Sequence, residues 1–64
     1  MNAKQRARLK EVVAILEEIK EEESAKFDNL PEGLQQAEQG QQIESAKDNL
    51  EEAIGYVETA IDGE

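Results

Sequence analysis

IESAKDNLEEAIGYVETAI, residues 43–61, is the stretch whose reading decides the fold. Within it Ile43, Ala46, Leu50, Ala53, Val57 and Ala60 follow strict three-four spacing, flanked by Ile54 and Ile61. That is the period of an α-helix with one apolar seam. Ala46, Ala53 and Ala60 recur at seven-residue steps, a column of small side chains that lets another helix approach closely. The helix to pair with it lies upstream, where Leu9, Val12, Val13, Leu16 and Ile19 recur at three- and four-residue steps with charged residues between. Asn2 and Gln5 have the spacing of a capping box at its start.

Asp28-Asn29-Leu30-Pro31 ends this first helix, because proline cannot continue a preceding helix but is accepted in the first turn of a new one. Asn29 and Glu32 repeat the capping-box spacing, so a second helical segment is expected there. Residues 31–42 hold Gly33, Gly40 and five glutamines, and Gly40 is expected to kink or break the helix. The expected layout is one domain over residues 1–64: a helix over about 3–27, a connector with a short helix over about 28–40, and a helix over about 41–62. In an antiparallel hairpin, one register pairs Ile19 with Leu50, Leu16 with Ala53 and Ile54, Val12 and Val13 with Val57, and Leu9 with Ile61. It is favoured over the register pairing Leu9 with Leu50, which leaves Val57 and Ile61 uncovered. Phe27, Leu30 and Leu34 then close one end, and Glu23 is the odd polar residue on the seam.

A chain of 64 residues buries too little surface to be more than marginally stable by itself, and with neither cysteine nor histidine it gains nothing from disulfides or the usual zinc ligands. The expected fold is all-α: an antiparallel helical hairpin assembling into a homodimeric four-helix bundle. Its expected oligomer interface comprises Leu9, Val12, Leu16, Ile19, Leu50, Ala53, Ile54, Val57 and Ile61.

Net charge is −9, unevenly spread. Lys4, Arg6, Arg8 and Lys10 occupy the first ten residues with no acid, whereas residues 11–64 hold three lysines and sixteen acids, 3 − 16 = −13. This balance opposes nucleic acid and anionic membranes as direct partners and favours a basic protein. The longest apolar run, Val12 to Leu16, is too short to span a bilayer, and a cytoplasmic location is expected. Cations at a helix start and acids at a helix end both oppose the macrodipole. Antiparallel packing would bring the basic start to Glu58, Asp62 and Glu64, and ion pairing there is the expected use of the four cations. Grip on an anionic ligand is the alternative.

Glu17, Glu18, Glu21, Glu22, Glu51 and Glu52 form the candidate acidic face for a partner. Sixteen acids on a hairpin whose last helix runs about 33 Å give roughly one per 2 Å, near the one charge per ~1.7 Å of duplex DNA, so mimicry of nucleic acid is feasible in magnitude. No EF-hand loop or Glu-x-x-His pattern is present, and no hydroxyl among Ser24, Ser45, Thr59 and Tyr56 has an activating base. Neither an enzyme, a metal site nor a cofactor is expected. Tyr56, at the margin of the stripe, is read as a packing contact before a ligand platform.

Residues 27–35, FDNLPEGLQ, followed by AEQG at 37–40 and DNLEEAI at 48–54, resemble a group of short acidic helical proteins of bacteriophages and prophages. The resemblance covers residues 9–62, and its most specific part is the NLPEGLQ connector. It implies a phage-type accessory protein in the host cytoplasm that acts by binding, including as an inhibitor of host defence, and it transfers no site residues. Two other functions fit the same residues: an oligomeric sponge for an anionic nucleotide held by Lys4, Arg6, Arg8, Lys10 and the glutamines, and a purely structural oligomerisation bundle.

Overall fold

The computed structural model describes residues 1–63, and three helices account for nearly all of them: α1 (Ala3–Asp28), α2 (Glu32–Gln35) and α3 (Glu38–Asp62). Two long helices run antiparallel against each other, with α2 as the cap of the hairpin. No strand occurs among the described residues, and none of their helices is long and apolar enough to cross a membrane.

α1 starts as its sequence dictates. The Asn2 side chain accepts from the Gln5 backbone N–H at 2.8 Å, and the Gln5 side chain accepts from the Asn2 N–H at 3.0 Å, closing a capping box. Its other end departs from expectation, because Asn29 makes no box with Glu32. Instead Asn29 terminates α1, its N–H donating to the Ala25 carbonyl, and Pro31 takes the N-cap position of α2 without a side-chain bond. Gln35 then reaches back, with Nε2 donating to the Phe27 carbonyl at 3.0 Å and the Leu30 carbonyl at 3.3 Å. The Phe27 carbonyl also accepts the Leu30 N–H at 3.1 Å, so the Gln35 side chain adds a second bond there and ties α2 to the last turn of α1.

Gly40 does not break a helix. α3 begins at Glu38 rather than near residue 41, and Gly40 lies buried in its first turn. A Cβ built there would stand 2.0 Å from the Gln35 carbonyl oxygen and 2.6 Å from its carbon. The glycine is needed so that α2 can lie directly on the start of α3.

Leu9, Val13, Leu16, Lys20, Glu23 and Phe27 form the half-buried seam of α1, in unbroken four-three alternation. α3 answers with Ile43, Lys47, Leu50, Ile54, Val57 and Ile61. Ile54 and Ile61, 7% and 8% exposed, are the centre of the core. Sequence spacing had assigned them to the flank of a seam through Ala46, Ala53 and Ala60, yet Ala46 and Ala53 are only half-buried and Ala60 is exposed. Isoleucine removes far more apolar area from water than alanine, so α3 turns its larger side chains inward. Of the residues expected to close the connector end, Phe27 and Leu30 are half-buried and Leu34 is exposed.

The register sets Ile19 near the height of Leu50, as expected, but Ile19 itself is exposed and Lys20 takes the seam position beside it. Lys20 Nζ lies 3.8 Å from Glu51 Oε1, and Lys47 Nζ stands 5.9 Å above the Phe27 ring. Pairing Leu9 with Leu50 would instead have placed Lys20 near Gln39. Glu23, a polar member of the seam together with Lys20 and Lys47, has 18% of its side chain exposed and holds Lys26 at 2.9 Å. That hydrogen bond and charge raise the Lys26 ammonium above its ordinary value.

The result is a slab one helix thick. Its Cα extents are 48 × 15 × 10 Å and its radius of gyration 14.7 Å, against about 11 Å for a compact chain of this length. Gly55, mid-helix in α3, has open space around its Cα. Alanine there is expected to stabilise the chain by about 0.5–1 kcal/mol, read as a higher urea midpoint.

Candidate interaction surfaces

An antiparallel helix pair has two broad faces, one on each side of the plane of its axes, and the chemistry of the two differs. On the first, Glu17, Lys20 and Glu21 of α1 border a groove with Glu51, Gly55 and Glu58 of α3, floored by Ile54. Seven-residue steps along α3 add Glu44, and the adjoining row adds Asp48 and Asp62. Acids therefore run the length of this face, with Lys20 held by Glu51 among them.

The second face is marked at the connector end by a groove between Lys26 and Asn29 of α1 and Gln39, Gln42 and Ile43 of α3. Seven-residue steps carry it from Lys26 to Ile19 and Val12, and from Gln39 to Ala46, Ala53 and Ala60. Ile15, 55% exposed, lies between Val12 and Ile19 at helical spacing, and Tyr56, 75% exposed, lies outside Ala53 and Ala60. Acids are fewer here than on the first face but not absent: Glu11 borders the groove with Arg8, Val12 and Ile15, Glu23 lies beside Lys26, Glu38 beside Gln42 and Ala46, and Glu22 falls on this side of α1.

The expected oligomer interface thus divides in two. Leu9, Leu16, Leu50, Ile54, Val57 and Ile61 belong to the seam inside one chain, whereas Val12 and Ile19 are exposed on the second face with Ala53 at its edge. Ile15 belongs with them and was not among the expected residues; its three- and four-residue offsets from Val12 and Ile19 were the available signal. The expected acidic face also divides. Glu17, Glu21 and Glu51 share the acidic groove with Glu58, Glu18 and Glu52 lie on the outer edges of the two helices, and Glu22 falls on the apolar face.

Lys4, Arg6, Arg8 and Lys10 do not converge. At about 100° per residue, Lys4 and Arg8 fall on one side of α1, Arg6 and Lys10 on the other. Arg6 Nη1 donates to the Met1 carbonyl at 2.6 Å. The ion pairs among the described residues are Lys20–Glu51 and Lys26–Glu23, so none of the four cations pairs with Glu58 or Asp62. The helix starts and ends lie side by side, but the long side chains solvate separately, as exposed ions commonly do. Glu64, the third expected acid, lies outside the described residues.

Among the described residues no group of three or more acids is placed to hold a metal ion. Comparison with protein-family models, curated proteins and solved structures returned no match.

Proposed function

We propose that this chain is a non-enzymatic binding protein, a self-assembling helical hairpin that docks a basic partner on its acidic broad face. The distribution of charge supports the reading: Glu17, Glu21, Glu51 and Glu58 gather around one groove, while the opposite face has fewer acids and sets Glu11 and Glu23 beside the cations Arg8 and Lys26. A surface on which one sign predominates steers an oppositely charged partner and helps fix its orientation. In the phage setting that the NLPEGLQ connector suggests, that partner is a host protein, a defence protein among the candidates, whose basic site the acidic face covers. The divergent cations favour this reading over a nucleotide sponge built within one chain.

Charge reversal tests it. Glu17→Lys, Glu21→Lys, Glu51→Lys and Glu58→Lys together are expected to lose, in affinity capture from host lysate, the protein that the native chain retains. Capture should also weaken with added salt, since exposed charges are screened beyond about 8 Å at physiological ionic strength. Reversal of Glu18 and Glu52, on the outer edges, is expected to do much less. Equal capture by the native chain and the fourfold variant would overturn the proposal.

A further inference from the structure

The second face has a shape as well as a composition. Val12, Ile15 and Ile19 form a ridge on α1, and Ala53 and Ala60 leave a shallow furrow on α3 at the same height. We infer that the ridge of one chain seats in the alanine furrow of a second copy, about a two-fold axis parallel to the helices, so that each α1 lies against the α3 of its mate. The inference rests on the reading of the chain as an assembling hairpin and specifies how it assembles.

Three observations identify a second copy as the occupant. Two chains of charge −9 repel wherever acids meet, and of the two broad faces this is the one with the fewer acids, Glu11 lying beside Arg8 and Glu23 holding Lys26. The exposed area, 4826 Å², exceeds by roughly 700 Å² what a folded chain of 7.1 kDa presents, close to the ~800 Å² that each partner gives to a standard interface. Finally, one chain carries both the ridge and the furrow, and a two-fold axis uses each twice. Turning the axis across the helices would set ridge on ridge and alanine on alanine, forcing one helix pair apart while the other closes, because interaxial distance follows side-chain size.

The native chain has no cysteine, so disulfide trapping reads this geometry without background. Val12→Cys and Ala60→Cys chains, made separately, mixed and oxidised, are expected to give a cross-linked heterodimer, whereas Ile15→Cys alone stays uncrosslinked. Ile15→Glu is expected to weaken association about 100-fold in sedimentation equilibrium, by placing a charge in the apolar contact. A dominant Ile15→Cys homodimer would overturn the parallel axis while leaving assembly standing. A native chain that sediments as a monomer at high micromolar concentration would overturn both.

Discussion

Replacing Gly40 with alanine is expected to destabilise the chain by about 2 kcal/mol or more, although alanine is the better helix former by roughly 1 kcal/mol. The new Cβ would meet the Gln35 carbonyl oxygen at 2.0 Å, about 1 Å inside the closest approach real Cβ atoms make. What it meets is backbone, so no rotamer change relieves the contact. α2 must lift from α3, and with it goes Gln35, whose Nε2 holds the Phe27 and Leu30 carbonyls. Gly55→Ala is the matched control, since the same substitution in the same helix enters open space and is expected to stabilise. Urea unfolding followed by far-UV circular dichroism measures both, and midpoints that moved in the same direction would contradict the packing described for Gly40.

Ile54→Ala is expected to cost about 2–5 kcal/mol, the usual range for deleting a buried isoleucine side chain down to its β-carbon. Ile54 and Ile61 are the buried apolar side chains of the described residues, and Ile54 sits near the middle of the seam opposite Leu16. A chain of this length has roughly 3–10 kcal/mol of stability in all. The variant is therefore expected to be largely unfolded at 25 °C at concentrations where the native chain is helical. Ala60→Ser, on an exposed position of the same helix, is the natural comparison and should leave the spectrum unchanged. A folded Ile54→Ala chain with a native melting temperature would mean that the seam is not where the stability resides.

Periodicity alone identified both long helices, their antiparallel register and the capping box at Asn2, because each rests on contacts within a few residues or on the repeat of large apolar side chains. It misplaced the seam of α3 by choosing a row through Ala46, Ala53 and Ala60. Two rows in that helix fit three-four spacing equally well, and side-chain size, not spacing, selects the one through Ile54 and Ile61. Gly40 was misread for a different reason. A glycine that permits close approach and one that breaks a helix are the same letter in a sequence, and the Gln35 carbonyl that decides between them arrives only through the turn at Pro31. The surfaces were partly legible. Acids were visible as a group, but the division of Glu17, Glu21 and Glu51 from Glu22 depends on which side of the plane each falls, and that follows only once the seam is fixed.

The two ends of the slab are not alike. At the connector, α1 and α3 are joined by short covalent links, with Gln35 fastening α2 to the last turn of α1. At the other end no segment of chain links the two helices, and Ile61, 8% exposed, is the last buried side chain of α3. Fraying therefore starts at the termini and travels toward the connector, one seam layer at a time, so that amide protection falls off with distance from Gln35. Ile61 is the latch of a zipper whose fixed end is the proline turn.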